Sequence, residues 1–194
     1  KPETDSVVNA ADFHYLSESG IWKADGQYIL SKTHEDGSGK GGFFDIVYSP
    51  EKGKRNQLKM SVFDEKMEIN DLGFNQRKNV KDIQYNYTSI NSNSTRFRDT
   101  QVNGYMRYGE NFDGHRISNA IGGSVNLTLN NLNEIQGSFA HWPTRFEDRE
   151  SYGNGTFKLR PRQRLRFEYK TNPSESFSYG GTLTYQAEDM KGRK

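Results

Sequence analysis

Three acids, Glu147, Asp148 and Glu150, flank Arg149 in the stretch FEDRES. A glycosidase works with two carboxylates set across a glycosidic bond, one donating a proton and the other attacking or activating water. Acids packed into one charged turn more often pair with an arginine or face solvent, and no partner acid can be picked out elsewhere. No G-x-S-x-G elbow offers a serine nucleophile to a histidine. The pattern assigns no catalytic residue, and the reading leans away from an enzyme.

His34, Glu35 and Asp36 mix imidazole and carboxylate, yet adjacent residues point in different directions and do not follow an EF-hand. His14, His115 and His141 lie on separate segments without ligand spacing. No metal site and no cofactor are expected. GSGKGG invites a phosphate-loop reading. It has His34 where that motif needs glycine and Gly41 where it needs a hydroxyl, so the stretch is expected to be a flexible surface loop.

Lys158, Arg160, Arg162, Arg164 and Arg166 surround the stretch RPRQ with one parity. Read as a hairpin, this puts most of them on one face. Anion selection or lipopolysaccharide contact would use such a cluster. The plainer expectation is a lumen or rim ladder neutralised by Glu168 and nearby acids.

The elements that position these residues are strands. In RLRFEYK, Leu165, Phe167 and Tyr169 alternate with Arg164, Arg166, Glu168 and Lys170. SFSYGGTLTYQ repeats the pattern with Phe177, Tyr179, Leu183 and Tyr185, after a turn at Asn172-Pro173. DIQYNYTS, GSVNLTLN and EIQGSFA alternate in the same way. The clusters HEDGSGKGG, SPEKGKRN, NSNS, ENFDGH, NNLN and RPRQ punctuate them. Residues 61–72 are the only stretch with room for a short helix. About ten hairpin-connected antiparallel strands are expected in an all-β fold.

Composition narrows the setting. Only 31% of the 194 residues are hydrophobic and mean hydropathy is −1.00, so a conventional core would be thin. Aromatics at 13% nevertheless exclude a disordered chain, which would be poor in them. A net charge of +2 gives no field to gather nucleic acid. The absence of cysteine removes disulfides and thiolate chemistry. No apolar run reaches the ~20 residues of a membrane helix. Period-two strands, frequent tyrosines and glycines within the strand patterns favour a transmembrane barrel, whose apolar face meets lipid and whose polar face lines a wet lumen. A soluble antiparallel sheet is the alternative.

The segment DLGFNQR, with Asp71, Leu72, Gly73, Phe74 and Arg77, resembles a recurring segment of the outer-membrane barrels called domain of unknown function 5916. The order FEDRES, GNGTFKLRP and then an aromatic alternating strand is similar as well. The resemblance implies an outer-membrane location, contact with outer-membrane lipid, and a barrel that usually follows a family 9-type carbohydrate-binding module. That module is missing here, and the chain ends EDMKGRK. Residues 1–194 are therefore expected to be one barrel domain or an internal fragment of a larger barrel, which need not close alone. The expected role is carbohydrate-linked passage or surface binding. The alternatives are a soluble all-β glycan-binding domain and part of a glycan-processing hydrolase.

Overall fold

A computed structural model of the chain describes residues 7–33, 37–68, 77–92, 94–149 and 155–188. Strands β1 (Val7–Leu16), β2 (Trp22–Thr33), β3 (Gly37–Tyr48), β4 (Lys54–Phe63), β5 (Val80–Asn91), β6 (Phe97–Glu110), β7 (Arg116–Leu129) and β8 (Glu134–Trp142) follow in order. A small hairpin, β9 (Arg145–Glu147) and β10 (Phe157–Leu159), precedes β11 (Arg162–Lys170) and β12 (Gly180–Glu188). Ten of these form one antiparallel sheet in the order β1-β2-β3-β4-β5-β6-β7-β8-β11-β12, while β9 and β10 pair only with each other. Every neighbour in the large sheet is the next long strand along the chain. The first and last strands do not pair, so the sheet is not closed by itself.

Register carries the sequence alternation across the sheet. The row Tyr185, Leu165, Phe139, Gly123, Gly104, Tyr87, Asn56, Tyr48, Trp22 crosses nine strands through successive paired residues. Paired residues share a face, so most exposed apolar positions of the ten strands fall on one side. That side is open: Phe13, Tyr28, Ile83, Met106, Phe139, Phe167 and Leu183 are all exposed. Among the exposed large apolar residues of the long strands, only Leu16, Phe43 and Ile90 lie on the other face.

The opposite face is polar and cross-linked. Gln27 donates to Asp12 at 2.7 Å and Gln57 to Asp45 at 2.7 Å. Arg107 pairs with Asp82 at 2.9 Å. Asn103 accepts from Thr88 and donates to Ser124. Arg166 and Lys170 both reach Glu168 at 2.5 Å, and Glu168 is buried.

Connections alternate between the two ends of the sheet. Short turns at 17–21, 49–53, 92–96 and 130–133 share one end with the connection 171–179. The other end carries the long connections 64–79 and 143–161 beside the turn 111–115. It is the loop end.

Several sequence expectations need correction. GSGKGG is not a surface loop: Gly37–Gly42 open strand β3, and its partners are Thr33–Tyr28. Small residues are needed there because residues 64–68 fold back over this part of the sheet. A Cβ on Gly39 would stand 2.4 Å from the Lys66 carbonyl oxygen. Met67 is sealed beneath that strap, its Sδ 3.5 Å from Ser31 Oγ, which also accepts from Glu68 N at 3.1 Å. The helix allowed over 61–72 does not form within the described part, since β4 runs through Phe63 before the strap turns. The strand expected to include Phe177 and Tyr179 starts only at Gly180, because the turn after Lys170 is wider than Asn172-Pro173 alone. Thr171 holds it by donating through N and Oγ1 to Tyr179 O at 2.9 Å.

Candidate functional site at the loop end

The loop end is built around Asp148. Arg77 Nη2 lies 2.6 Å from both of its oxygens, and Asn111 Nδ2 donates to Oδ2 at 3.0 Å. Three connections meet there. Asn111 is itself buried, and its Oδ1 accepts from His115 N at 2.9 Å, which closes the β6–β7 turn on itself. Asn79, at φ 57°, takes the left-handed conformation that asparagine tolerates. Its Oδ1 accepts from Phe112 N at 2.8 Å, so the same turn is pinned a second time. His115 packs on Phe146 with ring centroids 5.0 Å apart.

Burial opposes ionisation of Asp148, but the hydrogen bonds from Arg77 and Asn111 and the Arg77 charge outweigh it and hold the carboxyl below its ordinary range. A general acid needs the reverse shift. Glu147 lies in β9, where its Oε1 accepts from Arg149 N at 3.0 Å. Glu147 and Asp148 therefore organise loops, and Glu150 lies outside the described residues.

Of the motif residues, Asp71, Leu72, Gly73 and Phe74 lie outside the described residues, while Arg77 is the arginine of this ion pair. His34, Glu35 and Asp36 also lie outside them. Among the described residues no three His, Cys, Asp or Glu side chains group as metal ligands.

The basic cluster is divided, which corrects the single-hairpin expectation. Lys158 sits in β10 and pairs with Phe146, and Arg160 lies between β10 and β11. Arg162, Arg164 and Arg166 share the polar face of β11. Arg166 is neutralised by Glu168, as a ladder requires. Arg162 instead stacks over Trp142, with Cζ 4.4 Å from the ring centroid, and Arg164 stands 5.8 Å from it. Trp142 and Arg162 are register partners. Arg145, which the parity argument had no means to include, joins them from β9. Burial and then the neighbouring Arg162 charge hold its guanidinium below its ordinary pKa.

Arg145 borders a cavity of about 330 Å³ lined on the polar face by Gln84, Tyr105, Arg107, Ser118 and Trp142. Tyr105 lies over Gly122, where a Cβ would approach its ring to 2.8 Å. The only sequence signal for this pocket was the aromatic and basic composition of HWPTRF.

The family model described as Domain of unknown function (DUF5916) matches residues 2–194. The chain belongs to the DUF5916 family. No curated protein and no solved structure matches it. In this DUF5916 chain the arginine of the LGF segment is thus a loop anchor, joined to the acidic turn that follows β8.

Proposed function

We propose that this chain forms part of the wall of an outer-membrane β-barrel that serves passage or surface binding rather than covalent chemistry. The observation that carries the reading is the one-sided exposure of apolar side chains over ten strands. With strands about 4.8 Å apart, an apolar band ~20 Å tall across such a sheet covers on the order of 900 Å². Monomeric soluble proteins rarely expose contiguous apolar patches beyond about 300–600 Å². Lipid is the solvent that suits such a face.

The rims support it further. Tyr15, Trp22, Tyr48, Tyr87 and Tyr169 gather toward the turn end of the apolar face, with Trp22 and Tyr48 stacked at 4.4 Å. Amphipathic rings of this kind suit the headgroup interface. Strands of 9 to 14 residues are long enough for the ~9–11 residues a tilted crossing needs. Short turns at one end and long connections at the other match the periplasmic and extracellular ends of such barrels. A carbohydrate-linked role would follow from the module with which the family resemblance is associated, and the polar loop end would then face the glycan.

Fractionation of cells making the full-length protein tests this reading. Recovery in the outer-membrane fraction, resistant to salt and alkaline washing and released by detergent, is expected. Recovery in the soluble fraction without detergent would reject it.

A further inference from the structure

Among the described residues several cations of the polar face and loop end have an acid: Arg107 has Asp82, Arg77 has Asp148, and Arg166 and Lys170 share Glu168. Arg145 and Arg162 differ in having unpartnered N–H groups that are buried and no such acid. Arg145 Nη1 and Arg162 Nε are both buried and have no hydrogen-bond partner, and neither guanidinium has a carboxylate within salt-bridge distance. Buried N–H groups of charged side chains are ordinarily satisfied. Here the two charges are close enough to repel, Arg162 lies over the Trp142 ring, and Arg145 shares with Trp142 the lining of one cavity.

The surroundings suit a polar guest. The cavity that Arg145 borders offers the side chains of Gln84, Tyr105 and Ser118 as further hydrogen-bonding groups, and Trp142 forms one wall. Glu147 and Glu188, the latter the register partner of Arg162 on β12, attract Arg145 and soften the repulsion, yet the two buried N–H positions remain without a hydrogen-bond partner. A guanidinium binds a carboxylate or a phosphate through its planar fork.

We propose that Arg145 and Arg162, beside Trp142, form a binding site for an oxyanion, a phosphate or carboxylate group, at the loop end of the polar face. The site rests on side-chain geometry and charge, and it holds whether the opposite face meets lipid or protein. Its ligand would neutralise both arginines and relieve their repulsion. Arg164, exposed near the same ring, adds long-range attraction for an approaching anion.

The test is thermal unfolding of the full-length protein in detergent, titrated separately with inorganic phosphate and with acetate, chloride keeping ionic strength constant. Ligand bound to the folded state raises the melting temperature by an amount that grows with the ratio of its concentration to its Kd. The wild type is expected to gain stability with at least one of the two, and the stronger response tells a phosphoryl from a carboxylate group. Arg145→Gln and Arg162→Gln should weaken the response at least tenfold, whereas Arg166→Gln, which removes a cation already held by Glu168, should keep it. If the glutamine variants fail to fold, Arg145→Lys and Arg162→Lys retain the charge without the fork and should weaken the response several-fold. No response of the wild type to either anion, or an equal response in the Arg145 and Arg162 variants, would overturn the proposal.

Discussion

Arg77 Nη2 stands 2.6 Å from both carboxylate oxygens of Asp148, 71 positions further along the chain. The pair joins the connection after β4 to the one after β8, and Asn111 brings in the β6–β7 turn. Side-chain exposures of 24% for Arg77 and 11% for Asp148 make it more than a surface ion pair.

Replacing Arg77 by glutamine is expected to cost about 1.5–3 kcal/mol, the range for a hydrogen bond to a charged group, because Asp148 stays enclosed without a cation. Limited proteolysis should then cut within 64–79 and 143–161 at protease levels that leave the wild type intact. Adding Asp148→Asn should recover part of the loss, and the double-mutant cycle measures the coupling directly.

Acid should loosen the same junction. The folded carboxyl of Asp148 is held below its ordinary pKa, so its contribution is complete above the unfolded value of about 4 and is lost as pH falls through the folded one. Protease sensitivity of 143–149 should rise in that acidic window. Asp148→Asn should be sensitive at every pH and lack the transition.

Gly39 tests the strap. Since its Cβ would collide with the Lys66 carbonyl, Gly39→Ala is expected to lift residues 64–68 and break the Ser31–Glu68 hydrogen bond. Met67, buried in the wild type, should then be oxidised by dilute peroxide faster than in the wild type. Peptide mass spectrometry of the sulfoxides reads this, and an unchanged Met67 rate would contradict it.

The sequence made the strands legible where alternation was strict. RLRFEYK and GSVNLTLN announce both strand and face, since every second residue repeats one polarity. GSGKGG was misleading because its glycines answer to a strap folded back from 64–68, a contact invisible in local pattern. The loop-end site was half legible. FEDRES and the LGF arginine stood out by composition, but their pairing depends on β5–β8 bringing distant loops to one end. Arg145 escaped notice because a brief hairpin outside the main sheet supplies it.

Phe167 is exposed near the middle of β11, between Gly137 and Leu183 in register. If it meets the bilayer midplane, Phe167→Arg should cost about 2–4 kcal/mol, read as a lowered urea midpoint for unfolding from lipid vesicles. Tyr185→Arg, nearer the loop end, should cost less. Equal costs at both positions would argue against a depth-dependent lipid environment.

The central claim, that lipid covers the apolar face and water the polar one, is tested most directly by single cysteines at Arg164, Leu165, Arg166 and Phe167 of the full-length protein in native membranes. The 194 residues contain no cysteine, so this segment adds no background. A membrane-impermeant thiol reagent should label positions 164 and 166, and a lipid-phase probe positions 165 and 167. Labelling of both parities alike by both reagents, or shielding of 165 and 167 from lipid and water together, would contradict the account.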